Sequence, residues 1–204
     1  MFGQEFFQRA IVWGPVILFS LTLHEFFHAW TALRFGDTTA RDQGRLTLNP
    51  LAHLDPMGTI VMVLSQFTFG WAKPVPVNPW NLRNPRVADI WISAAGPLSN
   101  IGLAIVAGVL YQIFVDPSAA GVIGEWFRAA VFINITLALF NLLPVFPLDG
   151  SHILGNLLPT GMQEGFQRFN QFAPFLLLII IVSGLFWRVL GPVVIGVATV
   201  LMGH

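Results

Sequence analysis

Four side chains in this sequence could together build a hydrolytic metal centre: His24, Glu25, His28 and Asp149. Residues 24–28 read His-Glu-Phe-Phe-His. On a helix, positions four apart share one face. Both imidazoles can then reach one tetrahedral zinc ion, and the glutamate beside the first histidine can reach a water next to it. The bare pattern is short and recurs by chance, so its setting carries the weight. Three ionisable side chains lie within an apolar stretch, where each costs several kcal/mol unless paired or bound. The plainer alternative is a polar pair hydrogen-bonded between packed helices.

A catalytic zinc usually takes three protein ligands and keeps one position open. The sequence has no cysteine, so the third ligand must be another histidine or a carboxylate. Most later carboxylates fall in polar connections or at segment edges. Asp149 follows a long apolar segment, within Pro-Leu-Asp-Gly, where the prolines and Gly150 can turn it back toward a bundle. At this point two roles are open for Asp149, metal ligand or N-cap of a helix starting at Gly150.

The elements that must position these residues are apolar. The 204 residues are 55% hydrophobic and 10% charged, against about 25% charged in a soluble domain. Too little charge is present to cover a water-facing surface. The net charge is zero, which argues against nucleic acid as a partner. The start of the chain shows no small-residue cleavage site, and none is expected. The composition predicts an all-α polytopic membrane protein of four to six membrane segments, one domain over residues 1–204. Its core is expected at 10–155 and further membrane segments at 165–203.

Five apolar segments stand out, at about Ala10–Phe35, Met57–Trp71, Val87–Val115, Gly121–Leu143 and Phe172–Gly203. The second is short for a span of about 20 residues and is broken by Gly58 and Gly70. The last is one bent helix or two pieces. Pro74, Pro76, Pro79 and Pro85 exclude a helix between the second and third segments, and a short strand is expected at Arg45–Leu48.

Topology follows from two separate considerations. His24 and His28 lie late in the first segment, and Asp149 lies just past the fourth. They can meet only if those segments run in the same direction, which requires Met57–Trp71 to dip in and return. Arg34, Arg41, Arg45, Lys73, Arg83 and Arg86 flank that segment, whereas Asp116–Glu125 holds no Lys or Arg. Positive charge marks the cytoplasmic side, so both flanks of the short segment are expected there, and the connection near residue 120 outside. The active site is thereby expected toward the cytoplasmic side of a bacterial or archaeal cell membrane.

The chain resembles the site-2 protease family of intramembrane zinc metalloproteases over roughly residues 15–155. The resemblance rests on residues 24–28 together with Gly-Arg-Leu-Thr-Leu-Asn-Pro at 44–50 and His-Leu-Asp-Pro-Met-Gly at 53–58. It continues with Gly-Trp-Ala-Lys-Pro-Val-Pro-Val-Asn-Pro at 70–79, Ala-Ala-Gly-Pro-Leu-Ser-Asn at 94–100, and Phe-Asn-Leu-Leu-Pro with Pro-Leu-Asp-Gly across 140–150. It implies one Zn2+ held by His24, His28 and Asp149, Glu25 as the general acid and base, and Asn141 assisting substrate or oxyanion binding. It further implies a membrane-spanning protein as substrate, whose helix must unwind locally, pairing with the stretch at 45–48 or the re-entrant segment.

Relatives often carry PDZ or CBS domains, and neither is expected in this length. Where the family often has Arg, this chain has His152. His53 and His152 are read as histidines of surface loops, with a partner role near the metal as the alternative. Asn100 and Asn134 are read as contacts between helices, and Gly96-Pro97 as a close helix approach or a kink. A metal transporter and an inactive protease-like scaffold are the rival functions. A transporter would spread carboxylates and histidines over several helices, whereas here they concentrate in one motif.

Overall fold

The computed structural model describes residues 3–115 and 121–203. Part of the expected outer connection, 116–120, therefore lies outside the described residues. The described chain forms eight α-helices. These are α1 (Gln4–Arg34), α2 (Thr39–Asp42), α3 (Pro56–Leu64), α4 (Pro85–Phe114), α5 (Val122–Asn141), α6 (Asp149–Leu157), α7 (Thr160–Val182) and α8 (Leu185–Met202). Five of them, α1, α4, α5, α7 and α8, are long and apolar enough to cross a membrane. The all-α membrane architecture expected from composition is the one observed.

Helix α4 is central, packing against α1, α5, α6 and α8. Alanines fill much of its buried face, at Ala88, Ala104 and Ala107. Small side chains let helix backbones approach closely, which is how apolar helices gain contact energy where lipid offers no hydrophobic drive. One cluster joins Ala104 and Ala107 to Val131 and Ile135 of α5 and to Val194 and Ala198 of α8.

Helices α1 and α5 run in the same direction. Trp126, early in α5, donates to the Ile11 carbonyl early in α1 at 3.2 Å. Asn134 donates to the Ser20 hydroxyl halfway along both, and Asp149, just past α5, lies beside His28. This parallel pairing is possible because the segment between α1 and α4 returns to its starting point. At 1.5 Å per residue, α3 is about 14 Å long, under half of a hydrocarbon core. Beyond it the chain turns back and closes on its own base: Leu54 pairs antiparallel with Ala72, and Lys73 N–H donates to the His53 carbonyl at 2.8 Å. Gly58 makes the return possible, because a Cβ there would sit 2.2 Å from the Trp71 carbonyl oxygen.

The strand expected at Arg45–Leu48 does not form; bends occupy the stretch, and no strand occurs among the described residues. Arg45 is instead buried, its guanidinium donating to the Lys73 carbonyl at 2.6 Å. A side chain pinning a neighbouring loop replaces the ladder that the alternation of residue types suggested. The C-terminal apolar stretch is two helices, parted at Gly184, whose φ of +68° is a left-handed conformation that a glycine adopts without strain. Gly191 and Pro192 lie within α8. Arg86 at the start of α4 donates to the Asn156 and Leu158 carbonyls, satisfying the end of α6 and holding it on α4.

Asp37, just past α1, anchors the proline-rich connection. Its buried carboxylate accepts from the Thr39 backbone and hydroxyl, from Asn78 N–H at 2.7 Å and from the Asn81 amide at 2.9 Å. Burial alone would raise its pKa. The bonds from Thr39, Asn78 and Asn81 outweigh it, so the carboxyl sits below the ordinary range. Its contribution to stability is therefore complete above the unfolded value and lost as pH falls through the lower folded one. Asp37→Ala should destabilise the fold by about 2 kcal/mol, because donors to a charged acceptor lose it together. A lowered thermal midpoint at neutral pH, converging on wild type in acid, is the expected result.

Candidate metal centre

Helical spacing stacks His24 and His28 on the inward face of α1, with ring centroids 4.5 Å apart. Their Nε2 atoms lie 2.9 Å from each other. Asp149 reaches the same point from the first residue of α6, with Oδ2 3.3 Å from His24 Nε2 and Oδ1 3.4 Å from His28 Nε2. Ligand atoms about 2.0–2.2 Å from a tetrahedral ion stand roughly 3.3–3.5 Å apart. The three groups are the His/Asp cluster of metal-binding type found among the described residues.

The hydrogen bonds around this triangle favour a cation. His28 Nδ1 faces the Ile92 carbonyl at 2.7 Å; a carbonyl can only accept, so in the neutral ring Nδ1 carries the proton and Nε2 a lone pair. His24 Nδ1 faces Asn100 Oδ1 at 2.7 Å, which leaves its Nε2 a lone pair as well. Two lone pairs and a carboxylate thus converge, and Asp149 Oδ2 is buried without a hydrogen-bond donor. Buried acceptors facing each other are costly unless something positive lies between them. A divalent ion that prefers nitrogen and oxygen donors fits this set.

Asp149 does not cap α6 through its side chain; Leu148 holds the N-cap position, with no side-chain cap bond. The Asp-Gly pair matters for a different reason from a simple turn. Gly150 is helical, and a Cβ there would lie 2.2 Å from the Leu142 carbonyl oxygen. Its bare Cα lets the first turn of α6 press against the end of α5, bringing Asp149 within reach of α1. Gly96 works the same way from α4, where a Cβ would sit 2.5 Å from His28 Nε2 and 2.6 Å from His24 Nε2. The close approach expected at Gly96-Pro97 is thus an approach to the rings of His24 and His28 themselves.

Glu25 is buried next to His24, and its Oε2 accepts from Val75 N–H at 2.8 Å. Pro74 and Pro76 have no N–H to offer, so Val75 supplies the donor in that extended stretch. Asn141 is the last residue of α5, and its amide donates to the Leu137 carbonyl at 3.0 Å. That is a helix-ending bond. An amide nitrogen carries two N–H groups, so one remains.

Three further residues have closer surroundings than the sequence suggests. Asn100 binds His24 directly rather than only joining helices. Its signal was its place four residues after Gly96, on the same helix face. His53 is no surface histidine: it is 2% exposed, with Nε2 bonded to the Thr47 carbonyl at 2.9 Å. His152 lies on α6 one turn past Asp149 and half exposed, with Nδ1 3.3 Å from Asp89 Oδ2. The Asp89 carboxylate holds the imidazole above its ordinary value, against the effect of burial.

Sequence comparisons point to zinc chemistry as well. The model of peptidase family M50 matches residues 107–183. YwhC of Bacillus subtilis, which carries a zinc-metalloprotease name, is 40% identical over 182 residues, covering 86% of this chain and 82% of its own length. The chain belongs to peptidase family M50, the site-2 protease family. Rip2 of Mycolicibacterium smegmatis is 32% identical over 169 residues, 81% of this chain and 64% of its own length. The zinc metalloprotease MJ0392 of Methanocaldococcus jannaschii is 26% identical over 159 residues, 76% of this chain and 38% of its own. No solved structure matches the chain significantly. M50 membership together with five span-length helices makes this a multi-pass integral membrane protein, and the M50 metal is zinc.

Proposed function

We propose that this chain is an intramembrane zinc endopeptidase that cuts a membrane-spanning protein, with His24, His28 and Asp149 as metal ligands and Glu25 as general base and acid. The observation that carries the reading is the meeting of three ligand side chains from α1 and α6 at one end of the parallel pair α1 and α5, with a buried carboxylate beside them. Bound zinc supplies Lewis acidity, lowering the pKa of water toward 7 and polarising a carbonyl.

The chain's own residues supply the rest. Val75 N–H holds one oxygen of Glu25, leaving the other to take a proton from the attacking water. Glu25 then returns that proton to the leaving amine. The remaining N–H of Asn141 is assigned to the developing charge on the substrate carbonyl. A substrate helix must unwind to expose its peptide bond. With bends at 45–48, the segment that returns between α3 and Ala72 is the better candidate to receive it.

Arg34, Arg41, Arg45, Lys73, Arg83 and Arg86 all lie in the connection at the ligand end of α1 or beside it. Arg9 and Arg128 lie early in α1 and α5, toward the other end. The charge bias supports a site toward the cytoplasmic side.

The test is cleavage of a single-span substrate in liposomes before and after metal removal. Chelation should abolish cleavage, and about one equivalent of zinc should restore it, with magnesium ineffective because it prefers six oxygen ligands. Full cleavage by metal-free protein would contradict the reading.

A further inference from the structure

We propose that Asn100 is a positioning residue for the metal centre: held in one orientation by Asn134, it keeps the proton of His24 on Nδ1 and so turns the Nε2 lone pair toward His28 and Asp149. The proposal rests on the zinc reading above and adds what determines the tautomer of the first ligand.

An asparagine amide can face a partner with either end, so its orientation must be fixed by something that cannot rotate. Here that is the Ala130 carbonyl of α5, which can only accept. It lies 2.8 Å from Asn134 Nδ2, and the Ser20 hydroxyl lies 2.9 Å from the same atom. The amino end of Asn134 therefore faces Ala130 and Ser20, and its Oδ1 faces Asn100. Asn100 Nδ2 donates to that oxygen at 2.8 Å. Its own Oδ1 is left facing His24 Nδ1 at 2.7 Å, and that nitrogen must carry the proton.

The opposite orientation would be incompatible with metal binding. Were Asn100 reversed, its amino group would face His24 Nδ1, and the ring proton would move to Nε2. An N–H would then point at His28 Nε2, 2.9 Å away, where the ion belongs. A backbone carbonyl of α5 thus sets the protonation of a ring on α1 through a side chain of α4. Ser20, Asn100 and Asn134 are 1%, 0% and 1% exposed, so water cannot offer His24 a substitute acceptor. Groups that orient a ligating histidine in this way typically change metal affinity by about 10–100-fold when removed.

A mere contact between helices would be indifferent to whether residue 100 can accept from His24, and this separates the two roles. Zinc affinity of the full chain in detergent, read by competition with a chromophoric chelator, should fall about 10–100-fold in Asn100→Leu. Asn100→Asp keeps an acceptor for His24 although its second oxygen then faces Asn134 Oδ1, and it should bind zinc more tightly than Asn100→Leu. Equal affinity of wild type and the folded leucine variant would overturn the proposal while leaving the zinc reading intact. A wild-type protein that binds no zinc would overturn that reading itself. If the leucine variant does not fold, 15N spectra of histidine-labelled, zinc-loaded wild type decide the matter. A His24 signal with protonated, exchange-protected Nδ1, assigned by its loss in His24→Ala, is expected; an unprotonated Nδ1 would overturn the proposal.

Discussion

Gly96→Ala should remove zinc from the protein. The substitution adds one methyl group, yet that carbon would sit 2.5 Å from His28 Nε2, 2.6 Å from His24 Nε2 and 2.6 Å from His24 Cε1. Contacts this short require movement, and neither ring is free to move. His24 is bonded to Asn100 and His28 to the Ile92 carbonyl, both on α4 with Gly96 itself. Shifting α4 away relieves the clash only by lengthening those bonds and leaving buried donors unpaired, about 1–3 kcal/mol each. Zinc affinity should fall about 100-fold or more, the upper end for changes next to the ligands. Elemental analysis after gel filtration measures it. Gly102→Ala on the same helix has nothing within 4 Å of the added carbon, and should keep its zinc. A Gly96→Ala protein with full zinc would mean that the rings stand farther from α4 than described.

Glu25→Gln should separate metal binding from turnover. The glutamine carbonyl can still accept from Val75 N–H, so the contact with the proline-rich connection survives. None of the three ligand groups changes. What disappears is the ability to take a proton from water and return it. General acid and base catalysis contributes about 10²–10⁴-fold, so cleavage should fall by about that factor or more, with zinc content unchanged. Co-reconstituted substrate, with products quantified over time alongside zinc per chain, gives both numbers in one experiment. Loss of zinc together with activity would assign Glu25 a role in holding the site rather than in proton transfer.

The sequence made the candidate site legible because the chemistry of its side chains leaves marks on it. An ionisable group within an apolar span is expensive, so His24, Glu25 and His28 stand out against Leu and Phe. The parity of the helices was legible too, since ligands at the ends of the first and fourth apolar segments can meet only if the second does not cross. The short α3 and the Leu54–Ala72 pair meet that requirement. Other features depend on contacts distant in the chain, which composition does not encode. The stretch at 45–48 alternates like a strand, but Arg45 finds the Lys73 carbonyl and the segment becomes a pinned loop. Asn100 and Asn134 look alike in sequence, and only the Ala130 carbonyl and His24 distinguish their roles. His53 lies in a loop-like connection yet is enclosed by the chain's return at Lys73.

The zinc-edge X-ray absorption spectrum of the purified, metal-loaded protein bears most directly on the centre. Nitrogen and oxygen ligands at about 2.0–2.2 Å are predicted, with the outer-shell scattering of two imidazoles, and Asp149→Ala should alter the shell while both imidazoles remain. A spectrum with fewer than two imidazoles, or one unchanged by loss of the Asp149 carboxylate, would contradict the assignment.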